Sequence, residues 1–338
     1  MFAELIEKLR GREDLTESEA SAAMLEIMEG RAAPAQVAGF LVALSMKGER
    51  PAEIVGLART MRTQAVQLSR SFTDVFDTCG TGGDRLHTFN VSSLAALTIA
   101  ACGTRVAKHG GRSVSSSSGS ADLFEALGVN VAASPAVVER CLSEVGIAFF
   151  FAPAFHPSMR HAGPTRRELG VRTAFNLLGP LTNPAHARRQ IVGVSRPEYT
   201  DLLARALGQL GSERVWVVHG ADGLDEISPT GYTKVVEYRD GRLHTFYLHP
   251  TDLGIEPTSI DFLRVSGPEE SLEVARRVLA GSSGPSKDFV VANAAVGLFI
   301  GERVPSLAEG AKTAAAAIED GRVRQKLDEL VACSQGVE

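Results

Sequence analysis

Along the first seventy positions, apolar residues recur every three or four places. In "LTESEASAAMLEIMEG" that spacing predicts a helix, with Thr16 and Glu19 as a capping-box pair and Gly30 as its stop. "APAQVAGFLVALSMKGE" and "RPAEIVGLARTMRTQA" repeat the pattern, each with a proline near its first turn. Short helices on short connections predict a small bundle.

From about residue 74 the pattern changes to short apolar runs rich in β-branched and aromatic residues, alternating with helical ones. "DVFDTCG", "TRVAKHG", "GIAFFFAP", "RQIVGVS" and "RVWVVHG" read as strands; "SSLAALTIAACG", "SADLFEALG" and "YTDLLARALGQLG" read as helices. This alternation predicts an α/β sheet, mostly parallel, with helices on its faces. "TKVVEYRDGRLHTFYLHP", turning at Asp240-Gly241, predicts an antiparallel hairpin at one edge. Helices return from about residue 267 to cover the sheet. The expected organisation is a helical domain over 1–70, joined in space by part of 158–190, and an α/β domain over 71–338.

Composition narrows the class. The chain has 338 residues, is 44% hydrophobic and carries a formal net charge of −5, which excludes a polyanion-binding bias and gives no reason to expect nucleic acid as a partner. Cys79, Cys102, Cys141 and Cys333 are far apart in the chain with no CxxC, so reduced thiols in a cytoplasmic protein are expected, not disulfides or a thiolate metal site. The first residues carry charges throughout and show no secretory h-region. The apolar run "FVVANAAVGLFIG" is too short to cross a bilayer and reads as a buried helix.

In open α/β sheets ligands bind beyond the carboxyl ends of the strands, and three loops there carry chemistry. In "DTCGTGGDRLHTFNVSS", Gly80, Gly82 and Gly83 allow close backbone approach, and Asn90 to Ser93 open a helix whose N-terminus favours phosphate. It matches neither a Walker A nor a dinucleotide pattern, and a plain glycine-rich turn is the alternative. In "KHGGRSVSSSSGSAD", Lys108 and Arg112 supply fixed charge among hydroxyls and small residues, a combination suited to pyrophosphate; a solvated linker is the alternative. In "VVHGADGLDEIS", Asp225 and Glu226 are adjacent carboxylates, either surface charge or partners of a Mg²⁺ that shares a substrate's phosphates.

Together, "GTGGD" (80–84), "FNVSS" (89–93), "KHGGRSVSSSSGSADLFEALG" (108–128), "HPSMRHAGPTRRELGVRTAFNLLGPLTNPA" (156–185) and "DGLDEIS" (222–228) resemble the anthranilate phosphoribosyltransferases, in order and spacing, over nearly the whole chain. The resemblance implies a nucleoside phosphorylase/phosphoribosyltransferase type of fold. It also implies transfer of a phosphoribosyl group from 5-phosphoribosyl 1-diphosphate (PRPP) to anthranilate, dependent on Mg²⁺, by a homodimer paired through its helical part. Carried over residue by residue, it assigns PRPP to Gly80, Gly83, Asp84, Thr88, Asn90, Val91, Ser92 and Ser93. The same ligand meets Lys108, His109, Gly110, Gly111, Arg112, Ser113, Val114, Ser115, Ser116 and Ser120. Anthranilate falls to Gly80, Gly111, His156, Arg166 and Gly179, and the metal to Ser92, Asp225 and Glu226. No catalytic base is expected, because an aromatic amine is already neutral near pH 7.

Two positions depart from the family pattern. Gly111 stands where relatives usually carry an asparagine that reaches the acceptor, and Arg85 stands where a glycine is common. A glycine before the arginine is also found in pyrimidine-nucleoside phosphorylases, the competing enzymatic reading. A non-catalytic nucleic-acid-binding paralogue would show a degraded GTGGD and a basic surface, and this chain shows neither.

Overall fold

The computed structural model describes residues 1–112 and 119–336. The bundle comprises α1 (Phe2–Arg10), α2 (Glu17–Met28), α3 (Pro34–Lys47) and α4 (Pro51–Thr63). The capping box forms as expected: Thr16 Oγ1 accepts from Glu19 N while Glu19 accepts from Thr16 N. Pro34 and Pro51 each occupy a first helical turn, where no N–H is needed. Glu53 is fully buried between Lys47 and the Leu15 and Arg50 amides, so its charge is paired and its oxygens are satisfied.

One seven-stranded sheet follows. Its strands are β1 (Val75–Asp77), β2 (Arg105–Gly110), β3 (Ile147–Phe151), β4 (Arg189–Gly193), β5 (Arg214–Gly220), β6 (Thr233–Arg239) and β7 (Arg242–Leu248), in the order β3-β2-β1-β4-β5-β6-β7. The first five are parallel; β6 and β7 are antiparallel, joined through Asp240 and Gly241 at φ 50° and 75°, as an Asp-Gly hairpin turn requires.

Helices cover both faces: α5 (Val91–Ala101), α6 (Ser120–Ala126), α7 (Pro135–Arg140), α8 (Ala152–Phe155), α9 (Gly163–Leu169), α10 (Tyr199–Gln209), α11 (Pro268–Leu279), α12 (Pro285–Ile300), α13 (Leu307–Glu319) and α14 (Arg322–Ser334). Side-chain alternation explains why the strands are apolar throughout. Trp216 and Val218 enter a core shared with α5 and α12, while Val215 and Val217 enter a second core shared with α10 and the bundle helices. Ala162, Phe175 and Leu178 join that second core. Arg62 on α4 stitches the two parts: Nε donates to Leu181 O at 2.6 Å and Nη1 to Leu210 O at 3.1 Å.

The apolar run near residue 295 is the buried helix α12, and no helix among the described residues is long and apolar enough to cross a membrane. All four thiols are free, yet Cys141 and Cys333 lie with their sulfurs 3.0 Å apart, a pairing that 192 residues of separation hid from the sequence.

Candidate active site

Strand order reverses between β1 and β4, so the loops leaving their carboxyl ends diverge and open a crevice. Here backbones meet with no side chain between them. Thr81 N donates to Gly193 O at 2.8 Å, a Cβ on Gly80 would lie 3.0 Å from that same oxygen, and a Cβ on Gly193 would collide with the Asp225 carbonyl. The glycine-rich turn, the end of β4 and the acidic loop are thereby stacked. Gly82 and Gly83 have φ of 63° and 90°, so these glycines are required by the turn. Arg85 and His87 follow at φ 62° and 57°, a conformation costing a side-chain-bearing residue about 1 kcal/mol or more. That cost explains why glycine suits the position of Arg85.

The loops bring three carboxylates together. Asp84 and Asp225 act on each other as like charges, as do Asp225 and Glu226, and Ser92 at the first turn of α5 neighbours Glu226. Desolvation holds Asp225 and Glu226 well above the ordinary carboxylate range, reinforced by the charge of Asp84 on Asp225 and of Asp225 on Glu226. Both keep part of their surface open to solvent, so a ligand can reach them. Asn293 of α12 fixes this loop by accepting from Ile227 N at 3.0 Å and donating to Ile227 O at 3.3 Å. Lys108, buried at the end of β2, offsets Glu226 and donates from Nζ to His109 O at 3.0 Å. This set suits a hard divalent cation, whose charge would relieve the crowding of the carboxylates. Among the described residues no group of three or more acids, histidines or cysteines is arranged to hold a metal by itself, so such an ion would complete its shell with water and substrate oxygens.

The other expected contacts around the crevice fall as follows. Asn90 caps α5 and its Oδ1 accepts from Ser271; Val91 and Ser93 are buried in the first turn, the Ser93 hydroxyl without a partner among the described residues. Thr88 is bridged to Arg264. Gly110 lies against Ser120, and an added Cβ at Gly111 would meet nothing within 4 Å. Arg112 is exposed and turned to α6, paired with Asp122 at 2.8 Å and Glu125 at 2.7 Å. Ser113, Val114, Ser115 and Ser116 lie outside the described residues.

A second group assembles around His109. Its Nδ1 meets Gly179 O at 3.0 Å, and His156 Nε2 meets Thr182 O at 3.0 Å. A carbonyl only accepts, so those nitrogens carry the hydrogens, leaving His109 Nε2 and His156 Nδ1 bare; both are buried without partners among the described residues. The rings are 5.4 Å apart. Burial, the neighbouring histidine and other effects push His109 down to about 3, and burial pushes His156 down to about 4, so both are neutral. Arg166 on α9 stacks over Phe175 at 5.1 Å and has no acidic partner among the described residues.

Three residues escaped the sequence reading although each lies in a quoted stretch. Asp77 accepts from His109 N at 3.2 Å and from Asn183 at 2.8 Å, and the same Asn183 amide donates to Ala107 O at 2.8 Å, tying the ends of β1 and β2. Arg172 lies across Gly83. A lone polar residue closing an apolar strand was the available signal for Asp77; nothing local marked the other two.

Comparison with known proteins agrees with this geometry. Residues 3–65 match the helical bundle domain of the glycosyl transferase family, and residues 73–324 match its a/b domain. The anthranilate phosphoribosyltransferase of Symbiobacterium thermophilum is 49% identical over 326 residues, 96% of either chain. The structure of the Thermus thermophilus enzyme of that name superposes with a TM-score of 0.90 at 44% identity, covering 98% of this chain and 99% of the other. The Saccharomyces cerevisiae enzyme, in complex with PRPP and Mg, gives 0.91 at 27% identity over 99% and 98%. Such identity across both parts of the chain, with GTGGD intact, leaves the phosphorylase and non-catalytic readings without support: this chain belongs to the anthranilate phosphoribosyltransferase family.

Proposed function

We propose that this protein transfers the phosphoribosyl group of PRPP to anthranilate, giving N-(5-phosphoribosyl)anthranilate and pyrophosphate, the phosphoribosyl-transfer step of tryptophan biosynthesis. One observation carries the reading: the glycine-rich turn, the Ser92 helix start and the Asp225–Glu226 loop meet beside a buried lysine at the reversal point of the sheet. PRPP is bound by Gly80, Gly83, Asp84, Thr88, Asn90 to Ser93, the stretch from Lys108 to Ser116, and Ser120, with Arg112 reaching the ligand only by leaving Asp122 and Glu125. Ser92, Asp225 and Glu226 hold Mg²⁺, which when bound neutralises charge on the diphosphate. Anthranilate lies against Gly80, Gly111, His156, Arg166 and Gly179.

Displacement at C1 of the ribose builds positive charge on the sugar and negative charge on the leaving diphosphate. Lys108, whose Nζ is held by the His109 carbonyl beside Glu226, and donors of the glycine turn would stabilise that leaving charge. The Arg166 guanidinium clamps the acceptor carboxylate and thereby aims the amine. Neutral His109 and His156 place no cation beside the incoming ring. The amine needs no prior deprotonation, and direct attack inverts the anomeric centre.

The protein works as a cytoplasmic homodimer paired through the bundle. A groove of about 450 Å³ lined by Ile6, Val42, Ala43 and Met46, with Met46 74% exposed, supports that surface; Met46→Lys should halve the mass seen by light scattering. For the reaction, mixing protein, PRPP, Mg²⁺ and anthranilate should quench anthranilate fluorescence. An undiminished signal with intact PRPP binding would reject anthranilate as acceptor.

A further inference from the structure

Arg172 sits in the short segment after α9, and its guanidinium lies so closely over Gly83 that any Cβ there would overlap it. Its Nη2 is buried and has no hydrogen-bond partner among the described residues. Arg172 pairs with no acid at salt-bridge distance among the described residues, although Asp225, Tyr199, Arg196 and Arg85 all act on it electrostatically. A buried guanidinium edge without an acceptor is costly, and it is tolerated where a ligand completes it.

The position decides which ligand. Gly83 directly precedes Asp84, and both Asp84 and Arg172 act electrostatically on Asp225, so the bare Nη2 lies at the acidic end of the crevice. Arg166, six residues earlier in the same stretch, is the cation on the acceptor side. A planar fork suits phosphate oxygens better than a point charge does. We infer that Arg172 binds the diphosphate of the phosphoribosyl donor, so that one sequence stretch supplies a separate arginine to each substrate. This rests on the reading of the crevice as a PRPP site.

The test uses the full-length protein with R172Q and R172K. Inorganic pyrophosphate with Mg²⁺ is titrated calorimetrically into each, and KM is measured separately for PRPP and anthranilate. R172Q should weaken pyrophosphate binding and raise the PRPP KM roughly ten- to hundredfold, the range for losing a charge-assisted contact, with the anthranilate KM unchanged. R172K should recover only part of the loss, because it restores the charge without the fork. Unchanged pyrophosphate affinity in R172Q, an anthranilate KM that moves in place of the PRPP KM, or a lowered melting temperature with normal kinetics would each overturn the inference. A wild-type protein that binds pyrophosphate but turns over no anthranilate would overturn the reaction assignment and leave the calorimetry to decide Arg172.

Discussion

Adjacent residues of β2 serve opposite conditions. Lys108 is a buried cation among carboxylates that crowd one another, whereas His109 is a buried neutral ring held by a carbonyl beside a second neutral ring. Strand geometry sends successive side chains to opposite sides, so one step along the backbone crosses from a region strained by charge to one cleared of it. In the proposed function, a cation and a diphosphate bring the charged region into balance. The neutral region presents two bare, buried ring nitrogens.

The contrast can be broken most severely at the acids. Replacing Asp225 by Asn and Glu226 by Gln removes the crowding with little change of shape. Turnover should fall by about a hundredfold or more, while the urea midpoint of the ligand-free protein rises. An unchanged rate, or a lowered midpoint, would contradict the charge-crowding account.

On the neutral side the signature is acid lability. Both histidines titrate far below 6.5 in the folded protein, while the unfolded chain takes up protons as pH falls through 6.5. Their contribution to stability is therefore complete above about pH 6.5 and is lost as pH falls towards their folded values near 4 and 3. Asp225 and Glu226 tilt stability the other way: their raised folded pKa values cost stability above the ordinary carboxylate range, and that cost is relieved on acidification. In the Asp225→Asn, Glu226→Gln background the two rings contribute about 2 kcal/mol each between pH 7 and 5, beside a same-signed contribution from His186 and opposing ones from Asp77, Glu49 and Asp288. A flat urea-unfolding profile over that range would show the rings to be protonated or exposed.

The smallest effect is expected at Gly111, where open space surrounds the missing side chain. Gly111→Asn should lower the anthranilate KM several-fold, as gain of one hydrogen bond allows, and leave the PRPP KM and melting temperature unchanged. A raised anthranilate KM would show that the added amide obstructs the ring.

The parts legible in the sequence were those encoded locally. Strand–helix alternation, the Thr16 cap, the Asp240-Gly241 turn and the glycine loop each depend on neighbours within a few residues, and their physics is visible as spacing. The meeting of the glycine loop with the acidic loop was legible because topology places loops after parallel strands at the same end of the sheet; most of the serine run lies outside the described residues. Arg172 on Gly83, Asn183 on Asp77 and Cys141 against Cys333 depend on tertiary approach, which no local pattern records. The orientation of Arg112 shows the same limit from the other side: a cation in a phosphate-like stretch is held outward by two acids of α6.

Arg62 gives the bundle a hold on chemistry that occurs elsewhere. Its Nε grips the Leu181 carbonyl, and Leu181 ends the single turn that begins at Gly179, whose own carbonyl selects the tautomer of His109. A shift of α4 would be transmitted through that turn to the His109 ring. The packing of the bundle is thus wired to the hydrogen on a single imidazole.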